Sequence, residues 1–180
     1  MTDENNTEPV NINTVTMDIG VVLERRVIDN PWADHEWKLV GVIAGRSDMQ
    51  DWQVLCDGDG WTHFYAGSLT LELFRKETEG YKVNLGQVPP KVFVVLRPEE
   101  EGAHAHEVTA FAATLCPFEA EGYDESGDEW VEGSEMPEII RAWVHAFVER
   151  HHVDVPFKKR KRKAYDPRKA RNEPRSPRHD

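Results

Sequence analysis

Apolar positions recur two apart from Thr14 onward, with Val15, Met17, Ile19, Val21 and Leu23 on one side and only Val22 breaking the other. Period-two alternation predicts a strand with one buried face. The chain then turns at Asp29-Asn30-Pro31, and a second strand is predicted over 37–44, ended by Gly45. Strands at 52–56 and 61–65 flank Asp57-Gly58-Asp59-Gly60, a composition that supplies the positive φ angles of a tight hairpin. Leu69, Leu71 and Leu73 continue the alternation, and 74–79 reads as a helical turn or loop. Tyr81, Val83 and Leu85 predict a further strand, broken by Pro89-Pro90. The β-branched run 91–96 has the continuity of a strand buried on both faces. An exposed acidic loop is predicted at 99–106, a last strand at 108–115, and an irregular surface segment at 117–135 with one helical turn near 118–123.

The period then changes. Ile139, Ile140, Trp143, Val144, Phe147 and Val148 recur at helical spacing and predict a helix over 136–151. Ser134 is the expected N-cap, with Pro137 in the first turn. The resulting fold class is α+β: a mostly antiparallel sheet or small, partly open barrel, with one C-terminal amphipathic helix packed on it through Ile140, Trp143, Phe147 and Val148.

Composition sets the boundaries. Residues 1–13 are polar without a period and are expected to be disordered; 14–157 form a single globular domain; 158–180 form a basic disordered tail. The start of the chain shows neither the basic nor the apolar region of a signal peptide, and no apolar run reaches membrane-spanning length, so the cytoplasm is expected. Cys56 and Cys116, far apart and outside any CxxC pair, are expected to be two reduced, buried thiols.

Charge is sharply segregated. Residues 1–157 hold 11 Lys/Arg against 30 Asp/Glu, near −19, while 158–180 hold 11 against 3, near +8. The tail opens with Lys158, Lys159, Arg160, Lys161, Arg162 and Lys163, which repel one another, stay solvated and suit docking to an acidic partner, with folding back onto the chain's own acidic body as the rival reading. An anionic membrane surface or nucleic acid is the alternative, but the acidic body opposes strong nucleic-acid binding.

Catalytic chemistry is not legible in these residues. No serine shows a nucleophile-elbow pattern, and the acids Glu99, Glu119, Glu121, Asp124 and Glu129 read as solvated faces. His104-Ala-His106 and His151-His152 lack the spacing of a metal module, and the latter pair suits a helix C-terminus. No metal, cofactor or catalytic residue is assigned. The densest polar-aromatic cluster is Glu24-Arg25-Arg26 with Asp29-Asn30-Pro31-Trp32. There Arg25 and Arg26 are candidates to grip a carboxylate or phosphate, or to pair with local acids, and Trp32 to bind a partner or cap the sheet.

The stretch Val21-Val-Leu-Glu-Arg-Arg-Val-Ile-Asp-Asn-Pro-Trp32 followed by Trp37 resembles a small bacterial domain-of-unknown-function family often encoded beside molybdenum-dependent formate dehydrogenases. Tyr65-Ala-Gly-Ser-Leu-Thr-Leu-Glu-Leu73, Glu77-Thr-Glu-Gly-Tyr-Lys-Val-Asn-Leu85, Val94-Val-Leu-Arg97 and Ala142-Trp-Val-His-Ala-Phe-Val-Glu-Arg-His-His152 follow in order. The resemblance implies a non-enzymatic accessory or assembly protein whose partner is the molybdoenzyme or its maturation factors. Members are sometimes named as molybdopterin-guanine dinucleotide biosynthesis proteins, which keeps a molybdenum-cofactor or nucleotide-handling enzyme as the alternative. Such a nucleotidyltransferase needs an N-terminal Gly-rich loop with a lysine on a parallel α/β sheet; Gly20, Gly41 and Gly45 instead sit in β-like surroundings.

Overall fold

The computed structural model describes residues 14–45, 48–99, 106–125, 127 and 129–154. The predicted arms 1–13 and 158–180, the C-terminal edge of the predicted domain and most of the 99–106 loop lie outside the described residues. β1 (Thr14–Asn30) pairs antiparallel with β2 (Ala33–Ala44) on one side and β4 (Trp61–Phe74) on the other. β3 (Gln53–Gly58) borders β4, giving a first sheet in the order β2-β1-β4-β3. The hairpin predicted at 57–60 is present, with Gly58 opposite Trp61 and Gly60 at φ +77°. A second sheet places β5 (Lys91–Pro98) between β6 (Val108–Thr114) and β7 (Trp130–Glu135), again antiparallel. Among the described residues three α-helices complete the fold: α1 (Thr78–Leu85), α2 (Pro117–Asp124) and α3 (Glu138–His151).

The architecture is α+β with mostly antiparallel, open sheets rather than a closed barrel. β2 runs beside β7 and β4 beside β6, yet the described strands form two separate ladders. Val21 and Leu23 of β1 meet Val94 and Leu96 of β5 and Val108 of β6 between the sheets. A second core cluster joins Ile19, Leu71 and Leu73 to Val92, Leu115 and, from α3, Ile140, Val144 and Phe147. Each such fully buried aliphatic side chain stabilises by ~1.5–3 kcal/mol relative to exposure.

Several sequence expectations are corrected. Among the described residues two helices accompany the C-terminal one: α2 stands where a helical turn is predicted near 118–123, and 81–85 is helical, not a strand. Tyr81, Val83 and Leu85 do alternate, but the buried positions are Thr78, Gly80, Tyr81 and Asn84, one helical face that leaves Val83 exposed. The strand 108–115 is not the last. β7 follows it, and four of its six residues (Glu132, Gly133, Ser134 and Glu135) carry no apolar signal. Its pairing with β5 is made by the backbone, which needs no alternation in sequence. Ser134 lies inside β7 opposite Val92, so it cannot be the N-cap of α3. Pro137 takes that position instead, and its carbonyl accepts the Arg141 N–H at 3.0 Å. Within the helical stripe, Ile140, Val144 and Phe147 are buried and Trp143 and Val148 partly so, whereas Ile139 faces solvent at 67% exposure.

Candidate functional site

The β1–β2 and β3–β4 hairpins end side by side, tied by the Val27 N–H donating to the Gly60 carbonyl at 2.7 Å. Strand alternation then decides what the predicted cluster can do, since successive side chains leave opposite faces. Arg25 follows the inner face, its guanidinium 5.5 Å from the centre of the Phe64 ring. Arg26 follows the outer face and grips Glu24, Nε donating to Oε1 at 2.8 Å and Nη2 to Oε2 at 3.1 Å. The two arginines therefore do not converge on one ligand. Trp32 stands at the hairpin turn, 92% exposed, its N–H donating to the Asn30 side-chain oxygen at 2.9 Å. The basic residues Lys158 to Lys163 lie outside the described residues.

The outer face carries a constellation that the sequence reading missed. Cross-strand register places Glu24 of β1 opposite His63 of β4, and His63 opposite Cys56 of β3. His63 Nε2 lies 3.0 Å from Glu24 Oε2, and His63 Nδ1 lies 3.5 Å from Cys56 Sγ. The hydrogen bonds of Arg26 and His63 hold the Glu24 carboxyl below its ordinary range, against a smaller desolvation effect. A carboxylate accepts hydrogen bonds and cannot donate them, so His63 donates to it through Nε2, and the neutral ring then turns the Nδ1 lone pair toward the thiol. The Trp61 ring packs 4.5 Å from the imidazole. The side chains of Glu24 and His63 are only 12% and 22% exposed, while Cys56 is exposed, correcting the expectation of two buried thiols. Cys116 is buried as expected, and desolvation raises its thiol. The difference arises because β3 is an edge strand whose six residues are all exposed.

A signal for this alignment was present. With Asp59-Gly60 as the turn, hairpin register brings 58 to 61, 57 to 62 and 56 to 63. The cysteine and histidine thus meet because they stand equally far from the turn.

On the inner side, Trp37, Trp52, Phe64 and His106 form an aromatic group in which the Trp52 and His106 rings stack at 4.0 Å. His104 lies outside the described residues, while the placed member of that pair is engaged with an indole. His152, just past α3, reaches α1 through Thr78 Oγ1 at 3.1 Å and also lies 3.1 Å from the nearby Asp154 carboxylate. His151 packs against Phe147, and desolvation followed by Arg75 and Arg150 lowers its pKa, which weakens the expected role as a cation at the helix end. Among the described residues, no three His, Cys, Asp or Glu side chains converge to hold a metal ion, and no helix is long and apolar enough to cross a membrane.

A cavity of about 650 Å³ between the α1–β5 connection and the start of α3 is lined by Val88, Pro89, Pro90, Met136 and Arg141. Another of about 440 Å³ follows the β4/β6 seam beside Trp52, Gly67 and Thr109. Neither is lined by Cys56 or His63.

No curated protein and no solved structure matches the chain. A family model described as a protein of unknown function (DUF3305) matches residues 18–161.

Proposed function

The chain belongs to the DUF3305 family of unknown function, and from that premise we propose that it is a non-enzymatic cytoplasmic accessory protein of a molybdenum-dependent formate dehydrogenase. It docks on the enzyme or one of its maturation factors through the basic segment 158–163. The observation that carries the reading is charge segregation, near −19 over 1–157 against +8 over 158–180. Oppositely charged surfaces steer encounter and fix orientation. The resemblance of the 21–32 and 142–152 stretches to a family often encoded beside such dehydrogenases supports this choice of partner. Trp32, almost wholly exposed at the tip of the β1–β2 hairpin, is a second contact of suitable chemistry, since a solvent-facing indole gains most by being covered.

Deleting the gene and assaying formate dehydrogenase activity and its molybdenum-cofactor content tests the reading. Loss of activity that is restored by the full chain but not by one ending at residue 157 supports it. Unchanged activity and cofactor content overturn it. Saturable micromolar binding of a nucleotide, lost on substitution of Arg25 or Arg26, overturns it in favour of an enzyme of cofactor metabolism.

A further inference from the structure

We propose that Cys56 is a site of reversible mixed-disulfide formation with low-molecular-weight disulfides, with His63 taking and returning the thiol proton. Three geometric facts carry this. Cys56 lies exposed on β3, which has no neighbour on its far side among the described residues, so a small reagent reaches the residue. His63 Nδ1 sits 3.5 Å from Sγ, within the range of a hydrogen bond to sulfur. Glu24, itself fixed by the Arg26 fork, accepts the proton on Nε2 at 3.0 Å and leaves Nδ1 as the basic nitrogen. The sequence thiol, imidazole and carboxylate is the general arrangement by which a weak nucleophile is activated and its base oriented. Its members lie on three adjacent strands held in register by the sheet, so the alignment does not depend on a mobile loop.

The disulfide reagent is itself the oxidant, so the reaction balances with no further co-reactant. Cys56 Sγ attacks one sulfur of the reagent while its proton passes to His63 Nδ1. The reagent's S–S bond breaks, a new S–S bond joins Cys56 to one half, and the bond's electron pair leaves with the other half. That half departs as a thiolate and recovers the proton from His63. Cys56 is oxidised, the departing sulfur is reduced, and a second thiol reverses the exchange. Glu24 stabilises the imidazolium that exists between the two proton transfers. The modification adds a bulky polar group to the outer face of the first sheet, where Trp61 and Arg26 lie nearby. It is stoichiometric and independent of the docking reading.

The full chain is incubated with oxidised glutathione near neutral pH, and adduct formation is followed by intact mass and peptide mapping. A single adduct is expected on Cys56, formed faster than on N-acetylcysteine under the same conditions and reversed by a dithiol. In His63→Asn the rate should fall by about tenfold or more, as removal of a positioned base does, and its pH profile should become that of a free thiol. Glu24→Gln should fall between the two. The comparison with N-acetylcysteine needs no variant, so it decides the matter even if His63→Asn does not fold. Reaction at Cys56 no faster than the free thiol, an unchanged rate and pH profile in a folded His63→Asn, or preferential labelling of Cys116 overturns the proposal.

Discussion

The side-chain amide of Asn84 donates to the carbonyl of Leu115 at 2.8 Å, in a position wholly removed from solvent. The same nitrogen reaches the Lys91 carbonyl at 2.7 Å, and its Oδ1 accepts the Lys91 N–H at 2.9 Å. One residue of α1 thereby supplies partners to the start of β5 and to the residue just past the end of β6. A buried amide with its donors and acceptor satisfied is tolerated; the same backbone groups stripped of partners are costly. Asn84→Ala should destabilise the fold by about 3 kcal/mol, read from urea denaturation midpoints. Asn84→Asp should also be destabilising, because a carboxylate cannot donate to the two carbonyls.

Ile139 and Ile140 are adjacent and chemically identical, yet only the second touches the core. Ile140→Ala should cost ~2–5 kcal/mol through lost contacts and a residual cavity. Ile139→Ala should stay within about 0.5 kcal/mol of the parent, as surface substitutions do. Equal thermal shifts for the two would show that α3 is rotated from the orientation described.

Gly80 lets α1 approach the Cys116 sulfur, since a Cβ placed on it would overlap Sγ. Gly80→Ala should therefore cost ~1–3 kcal/mol by overpacking, despite the better helix propensity of alanine. Adding Cys116→Ala should recover part of that loss, giving a coupling free energy in a double-mutant cycle.

Burial holds the Tyr81 phenol well above its ordinary range, outweighing the Phe74 N–H that donates to it, and the Glu77 carboxylate adds to the rise. The unfolded phenol ionises near pH ~10. Above that pH the folded chain retains a proton that the unfolded chain has lost, so this contribution is complete below pH ~10 and declines as pH rises beyond it. Denaturation measured across the alkaline range should show that decline, and Tyr81→Phe should flatten it. The variant should be about 1 kcal/mol less stable near neutral pH because it loses the bonds to Glu77 and Phe74.

β1 was legible because Ile19, Val21 and Leu23 repeat at period two, although Gly20 and Val22 between them are buried as well, and α3 because Ile140, Val144 and Phe147 repeat at the helical period. The errors have physical causes. The alternation of Tyr81, Val83 and Leu85 made the α1 stretch look like a strand, whereas Asn84 is buried with its three hydrogen bonds and Val83 is exposed. β7 contributes polar side chains to a ladder held by backbone, and Glu132 bonds the Leu39 N–H at 2.7 Å across to β2, a contact without a local sequence signal. In the site, adjacency in sequence suggested that Arg25 and Arg26 act together, whereas the pleat separates them. The Cys56–His63–Glu24 alignment depends on the register of three strands, of which only the β3–β4 hairpin could be derived from its turn.

Each sheet comes from one unbroken stretch of chain, 14–74 for the first and 91–135 for the second. On the ribosome, the first sheet's strands emerge before any residue that will cover their apolar face. Ile19, Val21, Leu23, Leu71 and Leu73 must wait there for β5 and α3, a nascent greasy surface open to chaperones and to neighbouring chains. Slowing translation between Phe74 and Lys91 would lengthen that interval and, with it, the exposure of this surface to aggregation.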